Sequence, residues 1–187
     1  MNQEQIKNKL NILKTDKGKL AYLIALEPKV NTAWMSQKTQ NSFYGLLVDY
    51  ALKDGNLTLA ARVYNKLGNK EGLESIADNY VKKGDYDDLW KARDIYEQIE
   101  NYDKLRSVAD TFIEAYFIDK ENDYYFEIGV EIFQKLGEEK KLDDCFQRFF
   151  NEYTNNRIHN IWILKHIFEK SNDAKWLKQL GDTLFSR

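Results

Sequence analysis

Residues 73–96, LESIADNYVKKGDYDDLWKARDIY, hold the two elements from which the rest of the chain can be read. The first half sets Leu73, Ile76, Ala77 and Tyr80 at positions 0, 3, 4 and 7, which is one face of an α-helix. Gly84-Asp85 interrupts that spacing with residues suited to end one helix and start the next. The second half puts Ala92 one helical turn before Tyr96. Helices pack closely where one offers a small residue and its neighbour a large one. The stretch therefore reads as a helical hairpin.

Both elements recur. The first returns as Phe43/Leu46/Leu47/Tyr50, Leu105/Val108/Ala109/Phe112, Leu142/Cys145/Phe146/Phe149 and Leu177/Leu180/Gly181/Leu184. Successive copies begin 30, 32, 37 and 35 residues apart, at positions 43, 73, 105, 142 and 177. The second returns as Ala60-x-x-x-Tyr64-x-x-Leu67 and Gly129-x-x-x-Phe133-x-x-Leu136. A lone amphipathic hairpin leaves an apolar face wet and must stack on another, so a period of this size signals a helical-repeat fold. Turn residues at 54–56, 68–69, 84–85, 101, 137, 155–156 and 171–173 divide the chain into expected helices. These cover residues 3–13, 17–27, 41–53, 57–67, 70–83, 86–99, 102–117, 122–136, 138–153, 157–170 and 173–185.

Gly84-Asp85-Tyr86-Asp87-Asp88 with Ala92 and Tyr96 resembles the turn and second helix of a tetratricopeptide (TPR) repeat. Leu177-x-x-Leu180-Gly181-x-x-Leu184 is similar to that family's first helix, and Leu47, Ala77, Ala109 and Phe146 hold the glycine position in the other copies. The resemblance implies an all-α fold, an α-solenoid of antiparallel hairpins wound as a right-handed superhelix with terminal capping helices. It covers residues 41–187. Residues 1–40 lie outside it and read as a basic capping hairpin, with 28–40 as a linker starting at Pro28, the one proline. The last helix, with Lys175, Lys178, Gln179 and Asp182 on its polar side, reads as the closing cap.

Composition narrows function. Apolar residues make up 43 % and charged residues 31 % of the chain, an ordinary globular balance. The net charge of -2 gives no general pull toward nucleic acid or an acidic membrane. A single cysteine cannot form an intrachain disulfide, and the longest apolar run, Ala21–Leu26, is far short of a membrane span. A cytoplasmic protein is the expectation. Cys145 takes a packing position, which argues against a nucleophile. His159 and His166, seven apart, lack the spacing and companions of a metal pair. Phosphate-binding glycine loops are absent, and adjacent carboxylates such as Glu138-Glu139 diverge on a helix. No catalytic, metal or cofactor site is expected.

The resemblance implies that a partner lies along a concave groove lined by the first helix of each hairpin. The groove side then follows from helical geometry. It comprises Glu71, Glu74, Asp78, Val81 and Lys82; Asp103, Arg106, Asp110, Ile113 and Glu114; Lys140, Asp143, Gln147, Phe150 and Asn151; and Asn41, Tyr44, Val48, Ala51 and Leu52. Seven of these twenty are acidic and three basic. The expectation is an acidic groove with Tyr44 and Phe150 as flanking aromatics, binding a basic or amphipathic segment of a protein or peptide partner. A second reading is a nucleic-acid-binding repeat that uses residues 1–40, where seven lysines and three acids give a local +4. A third is an enzyme or enzyme subunit on a helical-repeat scaffold.

Overall fold

The computed structural model describes residues 3–30, 36–119, 122–155, 161–171 and 174–185, except the side chains of Gln3, Lys170, Ser171 and residues 183–185. All its regular structure is helical: α1 (Gln3–Ile12), α2 (Asp16–Val30), α3 (Gln37–Lys53), α4 (Leu57–Leu67), α5 (Lys70–Lys83), α6 (Tyr86–Gln98), α7 (Tyr102–Ile118), α8 (Asp123–Leu136), α9 (Glu139–Thr154), α10 (Trp162–Ser171) and α11 (Ala174–Phe185). Each expected helix has a counterpart, and α4 and α5 share their expected bounds. The chain forms two compact units, Met1–Ile99 and Glu100–Arg187.

One local rule makes three of the turns. Gly55, Gly68 and Gly84 take left-handed backbone angles, a conformation that costs a side chain energy and glycine almost nothing. The residue that follows each, Asn56, Asn69 or Asp85, accepts a hydrogen bond from an amide of the next helix, at Leu59, Gly72 and Asp88 respectively. Each such cap contributes about 1 kcal/mol. The turn before α7 keeps the cap, with Asn101 accepting from the Lys104 amide, but puts Glu100 in the left-handed slot at φ 61°.

In the first unit, α2 packs on α3, α3 on α4, α4 on α5 and α5 on α6. Ile6, Leu10, Leu20 and Leu23 are buried, so the basic N-terminal helices turn their apolar sides inward. Leu73, Ile76, Ala77 and Tyr80 are all buried, as are Ala60 and Ala92; the Tyr64 ring lies over Gly72, where a Cβ would come within 2.6 Å of it. Pro28 does not end α2 as the sequence reading expects. The helix runs on to Val30, because the N–H that proline lacks would have bonded Ile24, on the exposed side. The expected linker is correspondingly shorter: α3 starts at Gln37, capped by Ser36.

In the second unit, α7 packs on α8, α8 on α9 and α10 on α11. Gly129 of α8 sits so close to α7 that a Cβ there would be 2.7 Å from the Ile113 side chain and 3.1 Å from the Ala109 carbonyl oxygen. An aromatic cluster fills the rest. Tyr116 stacks on Phe149 at 5.8 Å, Phe126 lies 5.1 Å from both, and Trp176 stacks on Phe150 at 5.8 Å and meets Phe146 at 5.1 Å. In the last copy of the spacing Leu180 is buried, Leu177 is half-buried and the Leu184 side chain lies outside the described residues; Trp176, just before the copy, is buried.

Candidate functional site

The charged residues expected along the groove are set on α5, α7 and α9, and the structure treats the three helices differently. On α7, Arg106 donates from Nη1 to Asp103 at 2.8 Å and from Nε to Glu138 of the α8–α9 turn at 2.5 Å. Lys141 of α9 donates to Asp110 at 2.7 Å, and Arg148 of α9 grips Glu114 with both terminal nitrogens. One helix further on, Lys175 donates to both oxygens of Asp143 at 3.1 Å, and the Trp176 indole N–H donates to the same carboxylate at 3.1 Å. The links from one helix to another join residues 32, 31, 34, 32 and 33 apart. The repeat period thus returns as a ladder of ion pairs and hydrogen bonds linking α7 to α9 and α9 to α11. In the second unit the expected acidic surface is a neutralised seam.

The first unit has similar rungs. Arg62 of α4 forms a two-pronged bond with Glu27 of α2 at 2.9 and 2.6 Å, with Glu27 buried. Gln98 of α6 donates to Asn65 of α4 at 2.6 Å. Asp78, expected in the groove, accepts from the Tyr96 hydroxyl at 2.5 Å. Burial, followed by that bond and the charges of Asp78 and Glu74, holds the phenol well above its ordinary range. Glu71 is exposed and Glu74 half-buried, and neither has an ion-pair partner among the described residues.

The expected flanking aromatics are corrected. Tyr44 is 2 % exposed and Phe150 4 %. Tyr44 lies under Lys66 of α4, because α3 is packed on by both α2 and α4 and hides most of its circumference. Phe150 belongs to the stack with Trp176 and Phe168. Val48 and Ala51, also expected on the groove side, are buried for the same reason, and Ile113 is buried where Gly129 of α8 packs against it. A helix touching three neighbours buries more than the four positions of its signature.

Cys145 is buried, and burial, reinforced by the charge of Asp110, pushes its thiol up to about 11. It stays protonated at neutral pH and behaves as a small hydrophobe. His166 is exposed and lies 3.5 Å from Glu127; His159 lies outside the described residues. A cleft of about 250 Å³ opens beside Asp143, lined by Leu142, Phe146, Lys175 and Trp176 among others. Its polar lining is Asp143 and Lys175 of the seam together with Gln134 and Glu139. Among the described residues, no three His, Cys, Asp or Glu side chains are grouped to hold a metal ion, and no helix is long and apolar enough to cross a membrane.

The sequence reading missed the partners, Lys141, Arg148, Glu138 and Lys175. The signal was available: each stands about one period beyond an acid or base of opposite sign. Comparison with protein-family models and with curated protein sequences returns no match.

Proposed function

We propose that this chain is a non-catalytic interaction scaffold of the TPR-like helical-repeat kind, and that the exposed side of α5 captures a basic or amphipathic segment of a protein partner. The supporting observation is the contrast between helices. Asp103, Asp110, Glu114 and Asp143 are tied to cations of their own unit, whereas Glu71 and Glu74 are left with no ion-pair partner among the described residues. Two carboxylates one turn apart on a rigid helix are preorganised to meet lysine or arginine side chains, and such charges act mainly on encounter rate and register. The return of polar partners at 31–35 residues supports the stacked-hairpin reading.

The test is a titration of a fluorescent lysine-rich amphipathic peptide followed by anisotropy. Wild type is expected to bind with an affinity that falls as salt rises. Glu71→Gln with Glu74→Gln is expected to weaken binding about tenfold, equivalent to roughly 1.4 kcal/mol, with an unchanged melting curve. Glutamine is chosen because a lysine in the first turn of α5 would oppose the helix dipole. Unchanged binding in the double variant contradicts the proposal.

A further inference from the structure

The corner where α1 meets α2 presents a surface that the α5 reading leaves unused. Both helices spend their apolar sides on packing, yet Ile12, the last residue of α1, is 71 % exposed. Lys9, Lys14 and Lys17 flank it, all exposed and without an ion-pair partner among the described residues. Lys19 and Lys53 lie over the Tyr50 ring at 5.5 and 4.8 Å, so the end of α3 brings another lysine to the same corner. Within residues 9–19 and 53–54 the acids are Asp16, 3.6 Å from Lys19, and Asp54, the residue that caps α3. Five lysines against two acids leave a local +3.

Lysines around an exposed aliphatic side chain complement an anionic bilayer. The ammonium groups meet the headgroups, and the aliphatic group enters the boundary with the acyl chains. Nucleic acid would feel the same charge, but residues 9–19 contain no aromatic for base stacking and no arginine for a two-pronged phosphate grip, and Tyr50 is covered by its lysines. We infer that the α1–α2 corner docks on an anionic lipid surface, with Lys9, Lys14 and Lys17 on the headgroups and Ile12 in the acyl boundary.

The test is co-sedimentation of the full chain with vesicles of phosphatidylcholine alone or mixed with phosphatidylserine. The chain is expected to pellet only with the anionic vesicles, and less so as salt rises. Each of Lys9→Gln, Lys14→Gln and Lys17→Gln is expected to lower partitioning about fivefold, the factor for a lysine near a charged membrane. Ile12→Ser is expected to lower it severalfold while leaving the salt dependence intact. These side chains are exposed, so the helical circular dichroism and melting curve of every variant should match wild type. Any of three results overturns the inference: equal pelleting with both vesicles, none with anionic vesicles at low salt, or no response to the lysine changes. It is also overturned if a single-stranded RNA or duplex DNA binds through these lysines while anionic vesicles do not.

Discussion

Glu100 shows how a single residue can depart from its neighbours' rule. At three other turns a glycine takes the left-handed position and an Asn or Asp caps the next helix; here the cap is Asn101 but the left-handed residue is glutamate. A side chain in that conformation costs about 1–2 kcal/mol. Glu100→Gly is therefore expected to stabilise the protein by about 1 kcal/mol, once the greater freedom of glycine in the unfolded chain is allowed for. A urea titration measures it, and an unchanged or lower midpoint contradicts it. Asp88 carries a pH dependence. It is 5 % exposed at the start of α6, where the hydrogen bond from Lys91 and then that from Lys83 outweigh burial and hold its carboxyl below the usual carboxylate range. The folded value lies below the unfolded one, so the stability it contributes is present above the unfolded value, about pH 4, and is lost as pH falls through the folded value. Both lysines are about half-exposed and solvent screens the pairs. Asp88→Asn is accordingly expected to lose about 1 kcal/mol at pH 7, with the gap to wild type closing below pH 4. A gap that persists in acid would assign the loss to something other than charge.

At the scale of the element, what was legible in the sequence was the helices and their inward faces. Capping residues and spacing located α4 and α5 at their observed ends, because both signals are local. Pro28 misled, since a proline in the last turn leaves an exposed carbonyl unpaired without breaking the helix. Gly129 was read as the small residue of a close helix pair, and the contact with Ile113 and Ala109 bears this out. Gly129→Ala gains up to about 1 kcal/mol of helix propensity but pushes a methyl group toward the α7 backbone, and overpacking costs about 1–3 kcal/mol. A net loss of about 1 kcal/mol in a denaturant titration is expected; a stabilised variant would mean that the α7–α8 contact relaxes freely. Tyr44 and Phe150 were not legible as core. Tyr44 is covered by the two helices that flank α3 and Phe150 by aromatics of α10 and α11, and a single helix's spacing does not reveal how many neighbours it touches.

Across the whole molecule, the candidate site was half legible. Glu71, Glu74, Asp78, Asp103, Asp110 and Asp143 were visible as a run of acids on first helices. Their fates diverge through register. The ladder α7–α9–α11 sets Asp110 against Lys141 and Asp143 against Lys175, each a period away, and Asp78 is turned to Tyr96. A charge count treats these acids as equal; the structure ties some of them to cations of their own unit, whereas Glu71 and Glu74 have no ion-pair partner among the described residues. The most direct measurement compares two variants with the same change in net charge, Glu71→Gln/Glu74→Gln and Asp110→Asn/Asp143→Asn, in titrations of one lysine-rich peptide. The account predicts that the first pair weakens binding about tenfold, while the second binds within about twofold of wild type and changes the melting temperature instead. Equal losses from both pairs, or a larger loss from the second, would contradict it.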